Sequence, residues 1–353
     1  MQGNPFSSSL AGNLEGRLAG GLAGGLAGGL AGSKLTFREA IRQALADEMA
    51  LDPNVLLLGE DIGVYGGCFK VTGDLYKKFP NQVIDTPVAE EGFTGMAVGA
   101  AMMGLRPVVE IMYADFFTLI FDPIVNHASK THFMSGGQFC CPITVRLPEG
   151  SGTGHGAQHT QSPEALFQNS AGLKMVAPSC PSDAYYLLRA AIRDNNPVLV
   201  FEHKMLYDME GIIEAEPLEL GKAKVLRSGK DVTIIAYSRA VQTALETASL
   251  LSEAGFEATV VDLCTLKPLD EKTIFSEVQK TGRVALIQDP NAFGGVNAQV
   301  CSEICSDFAT FKTLKAPVVQ MGGRCTPVPF SKDLEKSTIP SVQACVEAIK
   351  KLF

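Results

Sequence analysis

From Leu35 onward, short runs of apolar residues alternate with longer stretches in which apolar positions recur at helical spacing. Short apolar runs indicate strands that are buried on both faces, and the stretches between them indicate helices that cover those faces. The predicted strands of the first half of the chain are 55–58, 83–84, 107–112, 142–146, 173–177 and 197–202. The pattern therefore predicts an α/β domain built on a parallel sheet.

Four stretches between these runs predict helices, in addition to a glycine-rich helical stretch at 92–104. The first begins after Thr36, because Glu39 stands at the spacing of a capping box. The others are a short amphipathic helix over 69–79, a long apolar helix over 116–131 and a helix over 182–194.

The alternation is interrupted once and then begins again. Residues 204–229 are acidic and show little periodicity, so we interpret them as a connection. Strands at 231–236, 258–263, 283–288 and 317–321 and helices at 241–254, 271–281, 296–308 and 341–352 follow. We expect a first domain over 35–203, a connection over 204–229 and a smaller α/β domain over 230–353.

Residues 1–34 differ from the rest of the chain. The motif LAGG recurs in them with a period of four, and such a glycine-rich tract is typically flexible. Its regularity indicates an artificial addition or a tether. It lacks the layout of a signal peptide and has too few arginines for a typical organelle transit peptide, and the predicted fold concerns the residues that follow it.

Charge and composition argue against some classes of partner and indicate the redox state of the cysteines. The chain has 353 residues and a formal charge of −8, which argues against nucleic acid or an anionic membrane as its main partner. It contains no apolar run of roughly 18 residues, the length that spans a bilayer. Its nine cysteines form no CxxC pair, which predicts reduced, buried thiols, with neither a disulfide framework nor a zinc site.

The stretch 84–107 is unusual because several glycines lie in one apolar helical segment behind two adjacent carboxylates, Glu90 and Glu91. Each glycine costs a helix roughly 1 kcal/mol relative to alanine, and the usual compensation is close approach of a ligand or another backbone. Glu90 then has two interpretations that the residues alone support equally: a carboxyl group with a raised pKa in a dry site, or a surface carboxylate at a helix N-terminus. For Glu91 we favour the surface position.

The segment 148–165 is rich in glycine, lacks periodicity and contains His155 and His159. A loop of this length inside a compact domain is usually functional, and histidine can transfer protons near neutral pH. Taken alone, however, such histidines are more often solvated, and His127, His132 and His203 are interpreted as structural. The sequence contains none of the common zinc, P-loop or serine-hydrolase motifs, and no GxGxxG before a helix.

Several segments occur together in one order. They are GEDIGVYGGCFKVTGDLYKKFP, IDTPVAEEGFTGMAVGAAMMGLRPVVE, HFMSGGQ, GAQHTQSPEA, AIRDNNPV and FEHKMLY. As a set, over essentially 35–353, they resemble the β subunit of the thiamine-diphosphate-dependent E1 component of 2-oxo acid dehydrogenase complexes. The resemblance implies a pyrimidine-binding parallel-sheet domain followed by an α/β domain like the C-terminal domain of transketolase.

The resemblance also implies roles for single residues. Glu90 matches the glutamate that hydrogen-bonds N1′ of the cofactor pyrimidine, which favours the imino form of the 4′-amino group that deprotonates the thiazolium. Phe116 matches the aromatic residue that packs on the pyrimidine, Val88 would line the same pocket, and Glu60 matches a carboxylate near the cofactor channel. His159 matches a histidine at the substrate and lipoyl entrance that could protonate the lipoyl dithiolane.

Ions and partners are implied in the same way. The carbonyls of Ile143, Ala191, Ile192 and Asp194, with Asn196, match a potassium site. The chain lacks the GDG segment that helps to bind Mg²⁺ and the diphosphate in single-chain relatives, so an α subunit is expected to supply that half of the site. The implied assembly is a heterotetramer of two α and two β subunits that serves an E2 acyltransferase through its lipoyl and peripheral-subunit-binding domains.

The expected substrate is pyruvate, with acetoin or a branched-chain 2-oxo acid as alternatives. The expected compartment is the bacterial cytoplasm or, in a eukaryote, an organelle matrix. A different class of function is a non-catalytic scaffold whose task is to dock E2.

Overall fold

A computed structural model describes residues 30–353, so most of the LAGG repeat lies outside the described residues. The strands of the first half are β1 (Lys34–Thr36), β2 (Val55–Gly59), β3 (Val83–Asp85), β4 (Arg106–Glu110), β5 (Thr144–Glu149), β6 (Lys174–Val176), β7 (Val198–His203) and β8 (Glu210–Ile212). The strands that follow are β9 (Lys224–Arg227), β10 (Val232–Ala236), β11 (Ala258–Asp262), β12 (Thr265–Lys267), β13 (Val284–Asn291) and β14 (Val319–Gly323).

Helices lie between these strands. Those of the first half are α1 (Phe37–Leu51), α2 (Leu75–Lys78), α3 (Glu90–Met102), α4 (Phe117–Asp122), α5 (Ser129–Met134), α6 (Glu164–Gln168) and α7 (Pro181–Arg193). Those of the second half are α8 (Ala240–Glu253), α9 (Glu271–Thr281), α10 (Val296–Ser306), α11 (Phe308–Phe311), α12 (Lys332–Lys336) and α13 (Val342–Lys350). Within the described residues, no helix is both long enough and apolar enough to cross a membrane.

The predicted parallel sheet of the first half is confirmed. Its seven strands have the order β12-β6-β7-β5-β4-β2-β3, and every neighbouring pair is parallel except β12 with β6. Since parallel strands need covered faces, α1 and α7 pack together on one side, and α3, α4 and the segment after α4 lie together as a second group.

The second α/β unit is also confirmed. Its five strands have the order β14-β13-β10-β11-β9, with only β9 antiparallel to its neighbour. The two units are joined in two ways. Strand β12 extends the first sheet from the second half of the chain, and one hydrophobic cluster contains buried residues of both units, among them Phe167, Leu266 and Ile274.

Local sequence chemistry explains several boundaries. The predicted capping box is present: the Glu39 amide donates to Thr36 Oγ1 at 3.3 Å, and the Thr36 amide donates to Glu39 Oε2 at 2.8 Å. The helix predicted over 69–79 is wrong in extent, since only Leu75–Lys78 is helical. Lys70 and Gly73 have φ values of +58° and +54°, which a right-handed helix does not accommodate.

The long helix predicted over 116–131 is not continuous. A 3₁₀ segment (Ala114–Phe116) precedes α4, and a wider π-helical segment (Pro123–Ala128) separates α4 from α5. Proline lacks the N–H that would continue the α-helical pattern at this point, which accounts for the change of helix type at Pro123.

The segment expected to be a connection contains two strands. Strand β8 pairs with β1, with Lys34 opposite Ile212, and β9 forms an edge of the second sheet. Regular structure therefore begins one residue before the predicted start of the first domain. Both strands are only three or four residues long and have no buried residue, so they contribute too few buried apolar positions for the sequence pattern to detect.

The expectation of reduced cysteines agrees with the structure, but their predicted burial is only partly correct. All nine thiols are free; Cys141, Cys264 and Cys345 are buried, whereas Cys140, Cys305 and Cys325 are exposed.

Candidate active site

The carboxyl ends of the central parallel strands meet at one edge of the first sheet, which is where α/β folds usually bind ligands. Glu60 follows β2, Glu90 begins the helix after β3, and Phe116 lies in the turn after β4. The loop after β5, residues 150–163, carries His159 and is called the His159 loop below. The order of the sheet therefore brings together four of the residues that the sequence singled out.

Glu60 and Glu90 are both buried at this edge, each with 6% of its surface exposed. Burial is the main cause that raises the pKa of Glu60 to about 7, and the nearby carboxylates of Glu90 and Asp61 raise it further. Glu60 Oε1 has no hydrogen-bond partner among the described residues. A buried, unpartnered carboxyl oxygen is costly unless a ligand completes it. The Glu90 side chain is buried and does not lie at the surface.

An aromatic group follows β4 at the same carboxyl edge of the sheet. The ring of Tyr113 contacts His159 edge-on with centroids 4.6 Å apart, and it also contacts Phe116 at 6.1 Å and His155 at 5.8 Å. Phe116 and His159 are 5.6 Å apart. Burial, followed by Cys68 and Asp115, raises the pKa of Tyr113 to about 12, so this ring remains a neutral phenol.

His155 therefore belongs to the same group as His159. Burial is the main cause that lowers the pKa of His155, with further contributions from the positive charge of Lys204 and from His159. Its Nδ1 lies 3.0 Å from the hydroxyl of Thr153. Both histidines were candidates from the sequence analysis, and the structure places both against Tyr113.

The His159 loop is held by carboxylates at both of its ends. Asp115 Oδ1 accepts hydrogen bonds from the amides of Thr160 and Gln161, each at 3.1 Å, and from the Gln161 side chain at 3.0 Å. Glu335 reaches from the second unit and accepts from the amides of Gly152 at 2.6 Å and Gly154 at 3.0 Å. Charge-assisted bonds of this kind are the stronger ones, so the loop is fixed rather than free.

A second buried group of polar residues lies beneath the loop, between the two units. Glu149 and Glu164 are each 1% exposed, and burial raises the pKa of both, that of Glu164 to about 7. His203 Nε2 lies 3.5 Å from Asp289 Oδ2. Gly150 has a φ of +88°, and a Cβ there would lie 2.1 Å from His203, so only glycine fits.

A cavity of about 620 Å³ opens on the other side of the loop, against the second unit. Its lining includes Thr160, Leu166, Phe293 and Arg324, but not Glu60, Glu90 or Phe116. The cavity and the paired carboxyl groups are therefore separate features.

The turn proposed for potassium already holds a cationic side chain. Arg106 Nη1 donates to the carbonyl oxygens of Ile192 and Asp194 at 3.0 and 3.1 Å. The Asp194 side chain accepts from the amide of Asn196 at 2.8 Å, and the carbonyl of Ile143 accepts from Val198 at 2.9 Å. Two of the carbonyl oxygens named for this site, those of Ile192 and Asp194, therefore already bind a guanidinium group.

Comparison with known proteins agrees with this architecture. Residues 33–210 match the model "Transketolase, pyrimidine binding domain", and residues 221–345 match "Transketolase, C-terminal domain". A pyruvate dehydrogenase E1 component subunit beta from Rickettsia felis is 43% identical over 89% of this chain and 97% of its own length. The chain belongs to the pyruvate dehydrogenase E1 β-subunit family.

A mitochondrial member of this E1 β family, the subunit beta-2 of Oryza sativa subsp. japonica, is also 43% identical over 89% of this chain and 85% of its own length. A split-gene transketolase structure superposes with a TM-score of 0.75 at 23% identity, covering 92% of this chain and 98% of that one. The latter likeness shows that the E1 β fold is also a transketolase fold.

Asp115, Lys204 and Glu335 were not identified from the sequence. Asp115 lies in the turn after β4, and Lys204 directly follows β7 within the resembling stretch FEHKMLY, so position after a strand was the available signal. Glu335 comes from a distant part of the chain, and no local pattern links it to the His159 loop.

Proposed function

We propose that this chain is the β subunit of a thiamine-diphosphate-dependent E1 enzyme that decarboxylates pyruvate and transfers the acetyl group to the lipoyl group of E2. The observation that carries the proposal is the burial of Glu60 and Glu90 together at the carboxyl edge of the sheet. Membership of the pyruvate dehydrogenase E1 β family supports pyruvate as the substrate.

The residues at this edge fit an aminopyrimidine. Glu60 Oε1 is buried and lacks a partner within residues 30–353, and a second carboxyl group lies near it. Phe116, a half-buried aromatic residue, follows β4 at the same edge of the sheet. Carboxyl oxygens that can hold or share a proton, next to an aromatic surface, match the edge nitrogens and the face of such a heterocycle.

Thiamine diphosphate, when bound, supplies the acidic carbon that attacks the 2-oxo group of the substrate. We assign to Glu90 the hydrogen bond to pyrimidine N1′, where it holds the proton that the activation requires. Glu60 keeps a carboxyl group with a pKa near neutrality next to Glu90, so the pair can retain one proton at the working pH. Phe116 orients the ring by packing.

His159 is assigned to proton donation at the lipoyl sulfur. The side chain is half-buried, and its ring is fixed by Tyr113 and Phe116 at 4.6 and 5.6 Å. A proton donor has to be held at the entrance to the site, where an incoming lipoyl group can reach it.

An α subunit is proposed to complete the site from outside. The exposed positions of α3 include Gly92, Gly95, Met96 and Gly99, and the exposed Met103 follows its last residue. A Cβ at Gly95 or Gly99 would meet no atom within 4 Å. Val88, which we expect to line the cofactor pocket, is 81% exposed. Such a stripe allows another helix to approach closely. We assign the diphosphate and its Mg²⁺ to that subunit, in a tetramer of two α and two β subunits.

We retain the potassium ion at the turn around Ile192 and Asp194 as part of the proposal, alongside Arg106. Carbonyl oxygens have a second lone pair that a cation can use. Replacing K⁺ by Li⁺ in the buffer should lower the melting temperature of the tetramer, and an unchanged value would indicate that Arg106 alone supplies the positive charge.

Docking of an E2 acyltransferase is proposed for the second unit, through the peripheral-subunit-binding domain of E2. The formal charge of −8 favours a basic partner. The proposed compartment is the bacterial cytoplasm or an organelle matrix.

The test is reconstitution with the α subunit, thiamine diphosphate and Mg²⁺, followed by assays with pyruvate, acetoin and branched-chain 2-oxo acids. We expect the highest kcat/KM with pyruvate. A tetramer that is inactive with pyruvate but active with acetoin or a branched-chain acid would overturn the substrate assignment. A tetramer that binds E2 and turns over none of them would favour the scaffold alternative.

A further inference from the structure

Lys204 lies under the His159 loop, immediately after β7. Only 5% of its surface is exposed. Its ammonium group donates a hydrogen bond to the main-chain carbonyl oxygen of His159 and lies 5.1 Å from the centroid of the Tyr113 ring. Because that ring packs against His159 at 4.6 Å, Lys204 supports both the backbone and the side chain of this histidine.

We propose that Lys204 is a positioning residue for acetyl transfer, whose ammonium charge holds His159 where it can protonate the departing lipoyl sulfur. This inference rests on the proposed function. In the step concerned, the electron pair of the two-carbon unit forms a carbon–sulfur bond, the lipoyl disulfide breaks, and the other sulfur takes a proton from His159. The disulfide is reduced by two electrons while the two-carbon unit is oxidised to the acetyl level.

The charges around Lys204 explain why an ammonium group is tolerated there. Burial lowers the pKa of Lys204 to about 8, while carboxylates on three neighbouring elements favour its charged form. Two of them, Asp115 and Glu335, are the carboxylates that hold the loop amides. The titratable groups that face Lys204 are Cys68, Tyr113, Asp115, Glu149, His155, His159, His203 and Glu335.

The same ammonium group influences the histidines. Its positive charge contributes to the lowered pKa of both His155 and His203. Loss of the charge would therefore weaken the bond to the His159 carbonyl and leave Asp115, Glu149 and Glu335 without their shared counter-charge. A general acid displaced by about 1 Å can lose roughly a hundredfold in rate.

The experiment compares two acceptors in the reconstituted tetramer with pyruvate: ferricyanide, which needs no lipoyl group, and the isolated lipoyl domain of E2. In the wild type, the ratio of acetyl transfer to ferricyanide reduction should fall as the pH rises through about 8. This comparison requires no variant, so it holds even if a substitution impairs folding.

Two substitutions separate charge from packing. Lys204→Met should lower the ratio by about ten- to a hundredfold at pH 7. Lys204→Arg should retain most of the ratio and move the alkaline decline to higher pH, since arginine stays charged. Lys272→Met, at an exposed position, is the matched control and should leave the ratio unchanged.

Three results would overturn the inference: a wild-type ratio that does not change across pH 7–9, a Lys204→Met ratio equal to that of the wild type, or the same alkaline decline in Lys204→Arg as in the wild type. Failure of the proposed function gives a different result, because the wild-type tetramer would then not reduce ferricyanide with pyruvate.

Discussion

The carboxyl group of Glu60 lies within electrostatic reach of Glu90, and both side chains are buried at the carboxyl edge of the first sheet. Strand pairing produces this arrangement, since Gly59 at the end of β2 stands opposite Asp85 at the end of β3. The residues that follow the two strands are then brought to the same place. With the pKa of Glu60 raised to about 7, the pair can hold one proton at neutral pH.

The pH dependence of stability should report this pair. Because the pKa of Glu60 is higher in the folded state than the usual 4.5, its contribution is fully present below about pH 4.5 and is lost as the pH rises through about 7. In the apo tetramer, Glu60→Gln should raise the melting temperature at pH 8 by about 1–3 °C and change it little at pH 5.

Calorimetric scans at the two pH values measure this effect. Glu91→Gln is the matched control, since Glu91 is the exposed carboxylate next to Glu90 and should show no such pH dependence. A Glu60→Gln tetramer that is equally stabilised at both pH values, or destabilised at pH 8, would show that Glu60 is not a buried acid.

A second pH effect is expected from Glu149 and Glu164 between the two units. Burial raises the pKa of both, that of Glu164 to about 7, so their contribution to stability is likewise lost as the pH rises toward 7. Glu164→Gln should reduce this loss in the free energy of unfolding by about 1–3 kcal/mol at pH 8. Melting curves from pH 5 to 8 measure it, with the exposed Glu216→Gln as control. Parallel curves for wild type and Glu164→Gln would contradict the prediction.

The sequence predicted the fold well because the two sheets depend on buried apolar strands. Such strands give a strong pattern, and the helices over 37–51 and 271–281 have capping residues that mark their beginnings. The failures concern local backbone geometry. The positive φ values at Lys70 and Gly73 and the π segment at Pro123 do not change hydrophobic periodicity, so the pattern overestimated the neighbouring helices.

The anchoring of the His159 loop leads to a third prediction. Asp115→Ala removes three hydrogen bonds to Thr160 and Gln161, and each bond to a carboxylate contributes about 1.5–3 kcal/mol. Hydrogen exchange of the Thr160 and Gln161 amides should therefore become at least tenfold faster. Asp208→Ala, at a side chain that is 86% exposed, is the control. Unchanged exchange in Asp115→Ala would mean that the loop is held in another way.

The site was less predictable than the fold. Glu60, Glu90, Phe116 and His159 could be named because a family resemblance supplied them, and their roles remain predictions. The residues around them escaped because they act over long separations in the chain. Asp115 and Gln161 are 46 positions apart, and Gly152 and Glu335 are 183 apart. Only the folded chain shows that these residues share one loop.

Glu90 is the residue on which the proposed chemistry depends most, and its substitution gives the most direct test. The measurement is pyruvate-dependent ferricyanide reduction by the reconstituted tetramer, with Glu90→Gln compared against Glu91→Gln. We predict that Glu90→Gln lowers kcat by about 10²–10⁴-fold, because glutamine cannot hold the proton at the pyrimidine, and that Glu91→Gln stays near the wild-type rate. Equal rates for Glu90→Gln and wild type would contradict the proposal that this chain supplies the acid of a thiamine-dependent active site.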